Sequence, residues 1–124
     1  MDLLTFHLQG TPYALPLAAV AEVVAAPAVR RVPLSPAGIL GIAEAGGRVV
    51  AVLDLAFLLD ERAGALPFQH LIRLAPPNDR SALAVGSHVG TGRGDAASAG
   101  HVLVAGVPHI LLDPAQLLAR AAMD

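Results

Sequence analysis

The chain has 124 residues, enough for one domain with a real core; 55% are hydrophobic and only 15% charged, which excludes intrinsic disorder. The net charge is −2, and the eight basic residues, all arginine, are scattered apart from Arg30-Arg31. A basic nucleic-acid-binding face is therefore excluded. There is no cysteine, hence no disulfide or thiolate metal site, and with one Tyr, three Phe and no Trp the core is built from Leu, Val, Ile and Ala.

Met1-Asp2 opens the chain without the basic region of a secretory signal, and the apolar run from Leu17 to Ala26 contains Glu22 and is too short to span a bilayer. A cytoplasmic domain with no direct membrane insertion is the expectation. Leu4, Phe6 and Leu8 alternate on one face of a strand, Gly10-Thr11 signals a turn, and Tyr13, Leu15 and Leu17 return along a second strand. Pro12 and Pro16 give that strand an edge or irregular character. Leu17, Val20, Val23 and Val24 have helical spacing in a segment that also suits a strand, read here as a short helical turn leading into a strand. Glu22 is the only charge between Asp2 and Arg30: a solvated side chain or a partner contact.

In Val32-Pro33-Leu34-Ser35-Pro36, Ser35 is placed to cap a single helical turn with Pro36 at its first position. Gly46-Gly47 supplies a tight turn, Arg48 to Leu53 is a core strand, and Asp54 caps the helix that begins LAFLL. Further strands are expected at 71–74, 81–85, 102–104 and 109–112, with a surface loop over Gly86 to Gly100. Asp113 lies 59 residues after Asp54 and is likewise followed by two leucines at +4 and +5. The two parts share the order hairpin, further strands, strand–Asp–short helix. Two similar β-rich units follow, with approximate halves 1–60 and 61–124 whose strands are free to interleave.

No catalytic grouping is legible. Asp54-Leu55-Ala56 and Asp113-Pro114-Ala115 lack the Asp-Thr/Ser-Gly loops of a carboxylate dyad, and without lysine there is no phosphate-binding Gly-Lys-Ser/Thr loop. The five histidines show no ligand spacing, although a tertiary cluster is left open, and no serine has a nucleophile-elbow context. No cofactor or metal is expected, and the economical reading is a non-enzyme.

The run Val32-Pro33-x-x-Pro36-x-x-Ile39-x-Gly41, continuing as Gly47-Arg48-Val49-Val50-x-Val52-Leu53-Asp54-Leu55, resembles the CheW-like domain of bacterial chemotaxis adaptors. Val20-Ala21-Glu22-Val23 is similar to that family's V-x-E-V segment, and HVLVAGVPHILLDPAQLL to its closing strand and helix. The resemblance implies a mainly β fold of two small five-stranded barrel-like subdomains in a single domain over 1–124. It implies a scaffold joining chemoreceptor tips to the regulatory domain of a CheA-like histidine kinase, or to another CheW-like domain, at the inner face of the membrane through receptor arrays. On the same resemblance Val20, Glu22, Gly41, Gly46, Gly47 and Arg48 are the partner-binding candidates. The family's Asn-Leu-Arg-Gly is Glu44-Ala45-Gly46-Gly47 here, so Gly46 stands where an arginine is expected. A stand-alone interaction module serving a pathway other than chemotaxis is the alternative.

Overall fold

The structure, a computed structural model, describes residues 1–25, 28–60, 68–98 and 100–123. In chain order the strands are β1 (Asp2–Leu8), β2 (Thr11–Pro16), β3 (Val20–Ala25), β4 (Ile39–Ala45), β5 (Arg48–Asp54), β6 (His70–Leu74), β7 (Ser81–Val85), β8 (Ser87–Ser98), β9 (His101–Val104) and β10 (Val107–Leu111). Two helices, α1 (Leu55–Asp60) and α2 (Pro114–Met123), follow β5 and β10, and a 3₁₀ turn at Leu17–Ala19 leads into β3. The fold is mainly β, as the resemblance implies.

The strands form a closed barrel, β1-β2-β10-β9-β8, and a five-stranded sheet, β3-β6-β7-β5-β4. Tight turns set the hairpin registers. Gln9-Gly10, Gly46-Gly47 and Ala105-Gly106 each place two residues at positive φ, the conformation whose twist matches two-residue hairpins. Both β-units use one parallel pairing, β10 with β2 and β5 with β7.

Because the units also pack on each other, their strands bury both faces. On β1, Leu3 packs inside the barrel with Ala14 and Val102, whereas Leu4 and Phe6 join Leu15, Leu53, Ile72, Leu83 and Leu117 in the shared core. Small residues fill the second sheet's own interior, with Ala43, Ala45, Val50, Val52, Ala82 and Ala84 around Leu71. A tightly curled sheet has little room inside, which accounts for the alanines.

Three expectations are corrected. Residues 86–100 do not form a surface loop: Ser87–Ser98 is the longest strand and closes the barrel between β1 and β9. Ser35 caps no helix. Reverse turns with bonds from Ser35 N to Val32 O and from Ile39 N to Pro36 O occupy this segment, and β4 starts at once. With Pro33 second and Leu34 third at φ 64°, the first turn has the type II pattern, which satisfies its amides locally. Leu17 does not share the inward face of β2; it lies in the 3₁₀ turn, partly exposed.

Candidate functional site

Five of the six partner-binding candidates converge at one end of the second sheet. β3 starts there with Val20 opposite Leu74, and Glu22 lies opposite Arg73 on β6. The β4–β5 turn, Gly46-Gly47, reaches the same end, followed by Arg48 as β5 begins. The outer strands of the sheet, β3 and β4, thereby face each other across a seam.

Glu22 occupies that seam. Its Oε1 accepts a hydrogen bond from Arg73 Nε at 3.0 Å, and its side chain is about one-third exposed at 33%. Gly46 has φ 59°, and a Cβ placed there would collide with the Glu22 carboxylate, its Cδ lying 3.0 Å away. Glycine at 46 thus answers two demands, a left-handed backbone and space for a neighbour's carboxylate. The guanidinium facing Glu22 is carried by Arg73 on β6 rather than by residue 46.

Arg48 turns instead to the β6–β7 connection, where its guanidinium meets Asp79 Oδ2 at 2.6 Å. Gly47, also at positive φ, has open space around it. Gly41 stands apart from this group. A Cβ there would lie 2.7 Å from the carbonyl carbon of Arg30, whose backbone exchanges two 2.8 Å bonds with Ile42 along the free edge of β4. Its role in the fold is to let that segment approach.

Beside the seam, Ala28, Arg30, Ile42, Ala43, Glu44 and Val49 line a concavity of about 470 Å³. Ile42 and Val49 are exposed there, Val49 at 66%. Exposed aliphatic surface edged by one arginine and one glutamate suits a protein partner better than a small polar ligand.

The two aspartates lie at helix starts. Asp54 Oδ1 accepts from the Phe57 amide at 3.2 Å, and Asp113 Oδ1 from the Ala115 amide at 3.0 Å. Burial pushes the Asp54 carboxyl above the usual carboxylate range, partly offset by the amides of Phe57 and Ala56. Its neighbours Leu53, Leu55 and Leu58 are buried in the shared core, and no charged group is among the causes of the shift. Among the described residues, no group of three or more His, Asp or Glu is placed to hold a metal ion.

The CheW-like domain family matches residues 2–106 of this sequence. The chain belongs to the CheW-like domain family. Among solved structures, the scaffolding protein TtCheW from Thermoanaerobacter tengcongensis has the same fold, with a TM-score of 0.74 at 17% identity. That likeness covers 94% of this chain and 86% of TtCheW. No curated protein sequence matches at a significant level.

For a CheW-like domain the sequence drew attention to Glu22 and Gly46, and the structure puts them in contact. Arg73, Asp79, Ile42 and Val49 escaped notice. Arg73 carried a signal, being the one charge within the strand HLIRL, but its partner is 51 residues away and becomes visible only once β3 pairs with β6. Val49 looked like a core residue because it begins an aliphatic strand.

Proposed function

We propose that this CheW-like chain is a non-catalytic adaptor of bacterial signal transduction that joins chemoreceptor tips to the regulatory domain of a CheA-like histidine kinase. The seam end of the second sheet is its docking surface. The observation that carries this reading is the Glu22 carboxylate, held part-exposed between Arg73 and Gly46 beside the exposed aliphatics Ile42 and Val49. A fixed charge next to apolar surface provides both register and affinity. Val20, Gly47 and Arg48 belong to the same end, and Gly41 stands apart from it. Family membership supports the non-catalytic role, and docking of this kind needs no cofactor. Among the described residues no helix is long and apolar enough to cross a membrane, so placement at receptor arrays would come through the partners.

Calorimetry against the kinase regulatory domain and the receptor tip encoded by the same genome tests the proposal. Micromolar binding of at least one, weakened tenfold or more by Val49→Asp and by Glu22→Arg, is expected. Absence of binding to either at high micromolar concentration overturns it.

A second reading, a CheW-like module recruited to a pathway other than chemotaxis, is favoured by one specific observation. Two arginines of this end are already engaged, Arg73 with Glu22 and Arg48 with Asp79, and residue 46 supplies none. Gly46→Arg does not restore the family pattern cleanly. It forces a side chain into a left-handed position and displaces Glu22, at a cost of about 1–2 kcal/mol. Localisation of a fluorescent fusion discriminates better: foci at chemoreceptor arrays argue against the second reading.

A further inference from the structure

The docking reading leaves one side-chain cluster unused, at the other β-unit. His7 on β1 and His88 at the start of β8 come from opposite ends of the sequence, and their rings face each other with centroids 4.7 Å apart and planes inclined by 31°. A register shift between Thr5 and His7 in the β1–β8 pairing sets His7 opposite Ser87, and His88 takes a left-handed conformation with φ 59°. Ser87 Oγ lies 2.8 Å from His88 Nδ1. His88 is exposed and His7 half-buried, so solvent reaches the pair.

We propose that His7 and His88 form a two-histidine site for a divalent transition ion of the zinc or nickel type, with water completing the coordination. Imidazole suits these ions, and zinc–nitrogen bonds of about 2.0–2.1 Å with a tetrahedral angle require the two ligating nitrogens about 3.3 Å apart. The site asks for side-chain rotations that bring one nitrogen from each ring, with centroids now 4.7 Å apart, into that range. Ser87 supplies the outer partner such a ligand uses. In the tautomer that donates Nδ1–H to Ser87 Oγ, the Nε2 lone pair of His88 is available to the ion. Bound there, the ion adds a side-chain link between β1 and β8, besides the exposed Asp2–Arg93 ion pair, across the 81 residues that separate His7 from His88. An ion that binds the folded state alone raises its stability by mass action.

Thermal unfolding of the full chain, with zinc chloride and then with excess chelator, tests the site. At about 100 µM zinc the midpoint should rise by about 3 °C or more, return with chelator, and stay put with magnesium. Calorimetry should give one ion per chain. His7→Gln and His88→Asn should each abolish the shift; asparagine tolerates the left-handed backbone at 88, and melting in chelator verifies that each variant folds. His101→Gln, on β9, should retain it. No zinc-dependent shift in the wild-type chain, or a shift that survives either replacement in the pair, overturns the proposal. Neither result bears on partner docking at the second sheet.

Discussion

Asp54 illustrates how one residue meets opposed requirements. Its carboxylate accepts from the first turn of α1, which favours the charged form, yet it is only 8% exposed, and burial raises its pKa. For an acid, a raised folded-state pKa means that the native state holds its proton more tightly than the unfolded chain does. Stability contributed by this group is therefore present at low pH and declines as pH rises from the unfolded value near 3.8 through the raised folded value. Asp54→Asn keeps an oxygen for the cap and removes the cost of burying charge. It should be neutral to stabilising at pH 7 and lose that component of the pH dependence, whereas Asp54→Ala should lose about 1 kcal/mol. Urea unfolding between pH 3 and 7 checks both signs. The cap was readable in the sequence because aspartate between an aliphatic strand and LAFLL has few other uses. Its burial was not, because that depends on the tertiary packing of the shared core, to which its neighbours Leu53, Leu55 and Leu58 belong.

At the scale of elements, β8 shows where local propensity misleads. Glycine and alanine are poor strand formers, so HVGTGRGDAAS reads as a loop. The alternation is nevertheless strand-like: Gly90, Gly92 and Gly94 interleave with Thr91, Arg93 and Asp95, of which all three polar residues are exposed. The glycines meet a crowded barrel to different degrees. A Cβ on Gly94 would lie 2.7 Å from Leu3 Cδ1 and 2.9 Å from the Leu103 carbonyl oxygen, and one on Gly92 would lie 2.9 Å from Val104 Cγ1. At Gly90 the nearest atom is Thr5 Oγ1 at 3.7 Å, an ordinary contact. The same substitution should thus change sign along one strand. Gly94→Ala should destabilise by about 1–3 kcal/mol through overpacking, while Gly90→Ala should stabilise by about 0.5–1 kcal/mol through lost backbone freedom in the unfolded chain. Chemical denaturation of the two variants provides the measurement; equal effects would show that barrel crowding does not select glycine here. Segment 32–38 misled in the opposite way, since Ser-Pro is as good a turn as a helix start and only the immediate onset of β4 decides between them.

At the scale of the molecule, the repeat seen in the sequence and the two β-units seen in space do not coincide. Each half runs hairpin, strand, hairpin, helix: β1-β2, β3, β4-β5, α1, then β6-β7, β8, β9-β10, α2. The first hairpin of each half has left its own unit. β1-β2 pairs with β8 and β10, and β6-β7 pairs with β3 and β5, so both units share one strand order assembled from both halves. They differ at the seam, where β8 and β9 pair and close the barrel but β3 and β4 do not pair: Glu22 of β3 meets Gly46 of the β4–β5 turn, and Ile42 of β4 bridges to Arg30, outside β3. Local patterns reveal the repeat, while the exchange depends on pairings between strands far apart in sequence, which no local pattern encodes. A consequence follows for fragments cut at the repeat boundary. Residues 1–60 retain β3, β4 and β5 but lack the hairpin that joins β3 to β5, and their β1-β2 hairpin lacks β8 and β10. An isolated hairpin is marginal in water, and the shared core needs Ile72, Leu74, Leu83 and Leu117 from the other half. Fragments 1–60 and 61–124 should each show no cooperative unfolding alone and regain a cooperative transition when co-refolded at equal concentration, with a midpoint that rises with concentration as for any bimolecular assembly. Cooperative folding of either fragment by itself would mean that a half can build a unit without the exchanged hairpin, contrary to the topology.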